Sequence, residues 1–233
     1  MPAAIAVLPQ PPLLVPALSG DAAVETEGLR EAVATAVTGL AAAADSWVVV
    51  GADPGGRRTV APGTRGTFAG YGRDVPVALP GPAGPDEGPE LPLPLLVAAW
   101  AAVPAGVGSA RGELVAPDAP VADCLALGAE LAGEGVGLLV VGDGAAKHTA
   151  KAPGGFDGRA EAFDAVVAAA FDAGDPETLA RLDPDGAAAL WASGRAPWQV
   201  LAGAARGRAW TAAHRHTSMP YGVAYHVALW EPA

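Results

Sequence analysis

Ala3-Ala4-Ile5-Ala6-Val7-Leu8-Pro9-Gln10-Pro11-Pro12 sets six apolar residues directly against a proline-rich turn. A short apolar run closed by turn residues reads as a fully buried strand. Proline has no N–H to give a sheet ladder, so the strand stops at Leu8 and Gln10 is left at the apex of the turn. Open α/β sheets place their chemistry at strand ends, which makes Gln10 the first site candidate.

The same pattern recurs along the chain. Asp21 is positioned to cap a helix over residues 21–44, in which Val33, Val37 and Leu40 fall on one face. Residues 46–50 form a second apolar run that empties into Gly51-Ala52-Asp53-Pro54-Gly55-Gly56. Strand, helix and strand in succession predict a right-handed βαβ opening. A strand over 75–79, a Pro-rich loop over 81–94, a helix over 95–103, a brief strand over 113–115 and a helix over 121–132 follow. Residues 137–141 are the third clear buried strand, ending in Gly142-Asp143-Gly144. Helices over 159–173, 176–181, 187–193 and 198–205 and strands over 208–213 and 221–229 complete the expectation. This alternation predicts one α/β domain over residues 1–233, an αβα sandwich around a central mixed sheet.

Composition narrows the function. A net charge of −11, with 25 acidic against 14 basic residues and no Lys/Arg cluster, argues against nucleic acid as a partner. The single cysteine, Cys124, excludes an internal disulfide and fits a reducing compartment. No basic leader precedes the first strand, and Pro and Gly break every apolar run below membrane-spanning length, so the expectation is a cytoplasmic protein with no membrane partner. The glycine loops at 51–56 and 142–144 lack the Lys-Ser or Lys-Thr of a P-loop and any dinucleotide fingerprint.

Three segments, in order along nearly the whole chain, carry a family resemblance. They are Pro9-Gln10-Pro11-Pro12-Leu13-Leu14-Val15-Pro16, Val141 to Asp164 with its Lys151-Ala152-Pro153-Gly154-Gly155-Phe156-Asp157 loop, and Met219-Pro220-Tyr221-Gly222-Val223-Ala224-Tyr225. Together they resemble the class III extradiol ring-cleavage dioxygenases, the LigB-like proteins to which Memo is related. That resemblance implies a LigB-like fold and a non-haem ferrous site. The family's first-turn histidine corresponds to Gln10, and its second histidine to Asp53. Near the place of the third, carboxyl-terminal ligand lies His216, and in the neighbourhood of the acid/base histidine lies His148.

Ferrous iron that activates oxygen is held by two imidazoles and a carboxylate with positions left open. A neutral amide from Gln10 is a poor donor, so a Gln10, Asp53 and His216 site would hold Fe²⁺ weakly and admit Mn²⁺, Mg²⁺ or Zn²⁺. Plainer readings stand beside these. Gln10 also suits the capping of turn backbone groups, and Asp53 before Pro54 is an ordinary turn former. His148, on a glycine-rich loop, can move a proton near neutral pH, opposed by Lys147 unless the two side chains diverge. His214 and His216 share a strand face if the strand extends that far. His226, among Tyr225, Val227 and Leu229, reads as a hydrogen-bonded structural residue. Three functions follow: a LigB-like scaffold that has lost its iron site and binds a small molecule in the old cleft, a metal-dependent dioxygenase or related metalloenzyme, or a non-catalytic subunit. In the last, tryptophans and the 81–94 loop would form an interface with a further copy or another chain.

Overall fold

The structure is a computed structural model that describes residues 1–82, 84, 90–133 and 135–233, without the side chains of 21–23. Strand β1 (Ile5–Leu8) is followed by the one-turn helix α1 (Pro16–Ser19), a 3-10 segment over Gly20–Thr26, and α2 (Glu27–Ala43). Next come β2 (Ser46–Ala52), β3 (Arg58–Val60), β4 (Arg65–Thr67), β5 (Pro76–Ala78), α3 (Leu93–Ala102), β6 (Ser109–Val115), α4 (Val121–Ala132) and β7 (Gly137–Val141). The chain closes with α5 (Arg159–Ala173), α6 (Pro176–Ala180), α7 (Pro184–Ala189), α8 (Arg195–Ala205), β8 (Trp210–Ser218) and β9 (Tyr225–Pro232).

Seven strands form one mixed sheet in the order β3-β6-β2-β7-β1-β9-β8. The central β6, β2, β7 and β1 are parallel, whereas β3 and β9 run antiparallel to their neighbours and β8 antiparallel to β9. Strands β4 and β5 pair separately. Alternate side chains enter two different cores. Ala6, Leu8, Trp47, Val49, Leu139 and Val141 meet α2 and α3, while Ile5, Val7, Val48, Val50, Leu138 and Val140 meet α4, α5 and α8. This is the period of two that a strand covered on both faces requires.

Helix α2 buries Leu29, Ala32, Val33, Ala36, Val37 and Leu40, the stripe of a helix with one face on a sheet. It begins at Glu27 rather than at residue 21, because the preceding turn is 3-10 and Thr26 stands at the boundary. On the other face, α4 and α8 meet through Gly128 and Gly203. A Cβ at Gly128 would lie 2.1 Å from the Val200 carbonyl oxygen, and one at Gly203 2.2 Å from that of Leu125. Only hydrogen side chains permit so close an approach.

The last two strands are shifted from the expectation, and β8 is longer than expected. β8 runs to Ser218, past the expected end at 213, and β9 begins at Tyr225. β6 extends back to Ser109, and β3 and β4 were not anticipated. The expected 81–94 loop includes residues outside those described. No helix among the described residues is long and apolar enough to cross a membrane.

Candidate functional site

The parallel strands β1, β2, β6 and β7 all end on the same side of the sheet, and the polar residues that follow β1 and β7 meet there. The Gln10 backbone N–H donates to Asp143 Oδ1 at 2.7 Å, and its side-chain Nε2 donates to Ser193 Oγ at 3.2 Å. Ser193 Oγ also accepts the backbone N–H of Asp143 at 3.0 Å. Gln10, Asp143 and Ser193 therefore form one hydrogen-bonded knot joining three distant parts of the chain. Burial pushes the Asp143 carboxyl up to about 7, opposed by the single N–H from Gln10. Tyr225, on β9, is close enough that burial and the Asp143 charge both hold its phenol above the ordinary range.

A second cluster lies along the loop that leaves β7. Asp164 projects from the buried side of α5, in line with Ala160, Val167 and Phe171. Its carboxylate is fully enclosed and accepts four contacts. His148 Nε2 lies 2.6 Å from Oδ2, His226 Nε2 lies 2.9 Å from Oδ1, and the Ala145 N–H reaches both oxygens at 3.3 and 3.1 Å. His226 Nδ1 is in turn 3.1 Å from Thr217 Oγ1. Gly144 is the residue around which this closes: a Cβ there would sit 2.2 Å from Asp164 Oδ1.

The His148 ring makes no other hydrogen bond among the described residues. It lines a cavity of about 290 Å³ together with Thr149, Phe156, Gly158, Glu161 and Met219. Phe156 is 70% exposed, which gives this opening an apolar lip. Lys147 turns away and places its ammonium 5.5 Å over the Trp191 ring, so the two neighbours diverge as a proton-transfer role for His148 would need. Among the described residues, Trp191 and Tyr221 are the non-glycine residues with positive φ, each at 59°. Both lie beside these loops, and for bulky side chains such backbone is strained. Trp191 and Ser193 line a further cavity of about 350 Å³.

The structure brings Gln10, Asp53 and His216 to three separate places. Asp53 Oδ2 holds Arg58 Nη1 at 2.5 Å and the Gly55 N–H at 2.8 Å, the arrangement of a turn residue tied to an arginine. His216 lies on β8, level with Val227 and two strands from β1. Four strand spacings separate β2 from β8, about 19 Å of sheet. Among the described residues, no three His, Cys, Asp or Glu side chains are grouped so as to hold a metal ion. A two-histidine, one-carboxylate iron centre does not fit this donor set.

Sequence reasoning did not single out Asp143, Asp164, Ser193 or Tyr225 as site residues. One signal was present for Asp164: a carboxylate at helical spacing among Ala160, Val167 and Phe171 is a buried charge, and buried charges have partners. His226 is the hydrogen-bonded interior histidine expected. Cys124 is buried in α4, and burial raises its thiol further from the reactive form.

The chain is similar in fold to a crystal structure of the uncharacterized protein JW3007 from Escherichia coli K12. The likeness covers 97% of this chain and 98% of that one at a TM-score of 0.54 and 14% identity. No family model matches the sequence, and no curated protein does. The match supports an α/β fold with a central seven-stranded mixed sheet.

Proposed function

We propose that this chain is a divergent LigB-like protein that binds a small molecule in the cleft at the β1 and β7 exits, without the family's iron centre. The observation that carries the reading is where the donors are engaged. The Gln10 amide is tied to Ser193, the Asp53 carboxylate to Arg58, and His216 stands two strands away. Ser193 and the exposed Trp191 ring line a cavity there, and the Gln10 amide that holds Ser193 is bonded in turn, through its backbone N–H, to an Asp143 carboxyl that is half-protonated near neutral pH. Such a set favours a ligand with an aromatic body and hydroxyl groups.

The test is metal content and oxygen uptake of the purified protein with catechol. Neither stoichiometric iron nor oxygen consumption is expected; finding both overturns the reading. Binding is followed separately by titrating protocatechuate against tryptophan fluorescence. Saturable quenching is expected, lost in Trp191→Phe and weakened in Ser193→Ala, and flat titrations remove the small-molecule role.

One observation favours a second reading, proton transfer by His148. Asp164 fixes the imidazole through Nε2 and leaves the ring beside a cavity, the orientation a general base requires. In that case bound catechol ionises in the wild type but not in His148→Ala, as read by ultraviolet difference spectra. Identical spectra dismiss this role and leave the binding role standing.

A further inference from the structure

Strand β8 changes face part-way. Ala212 pairs with Trp230 and His214 pairs with Leu229, so Ala213 is an extra residue, a β-bulge. Ala212 accordingly packs with the α5 and α8 core, as Trp230 does. Beyond the bulge the alternation is reversed. Arg215 reaches Asp172 on α5 at 3.0 Å and Thr217 reaches His226, which leaves His214, His216 and Ser218 on the opposite face, the one across which lie Leu229, Val227 and Tyr225.

Those three side chains share an unusual property. His214 Nε2, His216 Nε2 and Ser218 Oγ are each buried, and each lacks a hydrogen-bond partner among the described residues. Buried polar atoms are nearly always partnered, and a consecutive row of exceptions marks a place where water or an ion belongs. The two imidazoles are neighbours on one face of the strand, His214 level with Leu229 and His216 level with Val227. Residues two apart on a strand project from the same face about 6.8 Å apart along the chain, a spacing from which two ring nitrogens can turn toward one ion. Imidazole nitrogen suits zinc, nickel and copper, and two such ligands leave positions for Ser218 or water.

We propose that His214 and His216 form a two-imidazole site for a borderline divalent transition metal such as Zn²⁺ or Ni²⁺ on the inner face of β8, separate from the cleft at the strand exits. The bulge at Ala213 is the device that builds it, because without it both rings would turn toward the α5 face.

The experiment is calorimetric titration of Zn²⁺ and of Ni²⁺ into untagged, chelator-treated full-length protein, alongside melting with and without the metal. One equivalent is expected to bind in the micromolar range, at least tenfold more weakly in His214→Ala and in His216→Ala and unchanged in Gln10→Ala and Asp53→Ala. Metal is expected to raise the melting temperature of the wild type and not that of His216→Leu, a variant that places an apolar side chain on an apolar face and so keeps the fold. Absent binding, or binding that survives in both histidine variants, overturns the site. A wild-type melting temperature unmoved by metal means a row of waters only, which also overturns it.

Discussion

The two faces of the β8–β9 hairpin carry the same residue types and treat them in opposite ways. On the α5 face, Arg215, Thr217 and His226 all have partners, and Asp164 receives three groups. On the α2 face, His214 Nε2, His216 Nε2 and Ser218 Oγ have none among the described residues. A buried polar network in which every member is satisfied fixes its members in place; one left open invites a ligand. The contrast explains why His148 has a defined orientation although it sits on a loop.

The strongest way to break the comparison is Asp164→Ala. It strands His148, His226 and the Ala145 N–H in the interior at once. Removing one side of a buried polar network costs about 3–5 kcal/mol. A melting temperature lower by about 6–20 °C is expected, given about 2–4 °C per kcal/mol for a chain of this size. A change below about 2 °C would show that the network contributes nothing. Gly144→Ala attacks the same cluster sterically, since its Cβ would lie 2.2 Å from Asp164 Oδ1. Displacing the carboxylate costs about 1–3 kcal/mol by denaturant unfolding, whereas Gly158→Ala, with open space around its Cβ, is a control that stays near wild type.

Asp143 lies between the two extremes, a carboxyl with one hydrogen bond from Gln10. Its pKa is raised from the ordinary 3.8 to about 7. Between those values the folded chain keeps a proton that the unfolded chain has released. The stability tied to Asp143 is therefore complete below about pH 4 and is lost as pH rises through about 7. Asp143→Asn keeps an acceptor for Gln10 and removes the titration. The variant should melt higher than wild type by an amount that grows from pH 5 to pH 8, reaching about 1–2 kcal/mol once partial solvent screening is allowed for. A difference independent of pH contradicts the raised pKa.

How much of this was legible in the sequence follows from where each residue lies. Residues 47–50 and 138–141 are apolar throughout, and the sheet centre they form was readable because burial on both faces leaves no other composition. β8 was cut short at 213 because His214-Arg215-His216-Thr217-Ser218 is a polar run, and an edge strand carries no core signal. Gln10 was singled out because it lies in the turn after β1, and His148 because it lies on the glycine-rich loop that leaves β7. The separation of Gln10, Asp53 and His216 was not readable, since strand order is a property of the topology: the order β2-β7-β1-β9-β8 puts β7 between the strands of Gln10 and Asp53, β9 between those of Gln10 and His216, and three strands between those of Asp53 and His216. Asp164 was missed for a related reason: one charge in a helix does not announce which loop it will hold.

The finest distinction is between adjacent residues. Thr217 and Ser218 are neighbours on β8, both hydroxyl-bearing, and they face opposite ways. Thr217→Val preserves shape and removes the bond to His226 Nδ1, which costs about 1 kcal/mol. Ser218→Ala removes a buried oxygen that has no partner among the described residues, so in chelator-treated protein it leaves stability unchanged or raises it by about 0.5–1 kcal/mol. Urea denaturation of the two variants side by side measures the sign directly. Opposite signs are expected from one strand position to the next; equal destabilisation would mean that Ser218 is partnered in solution and that the α2 face is as saturated as the other.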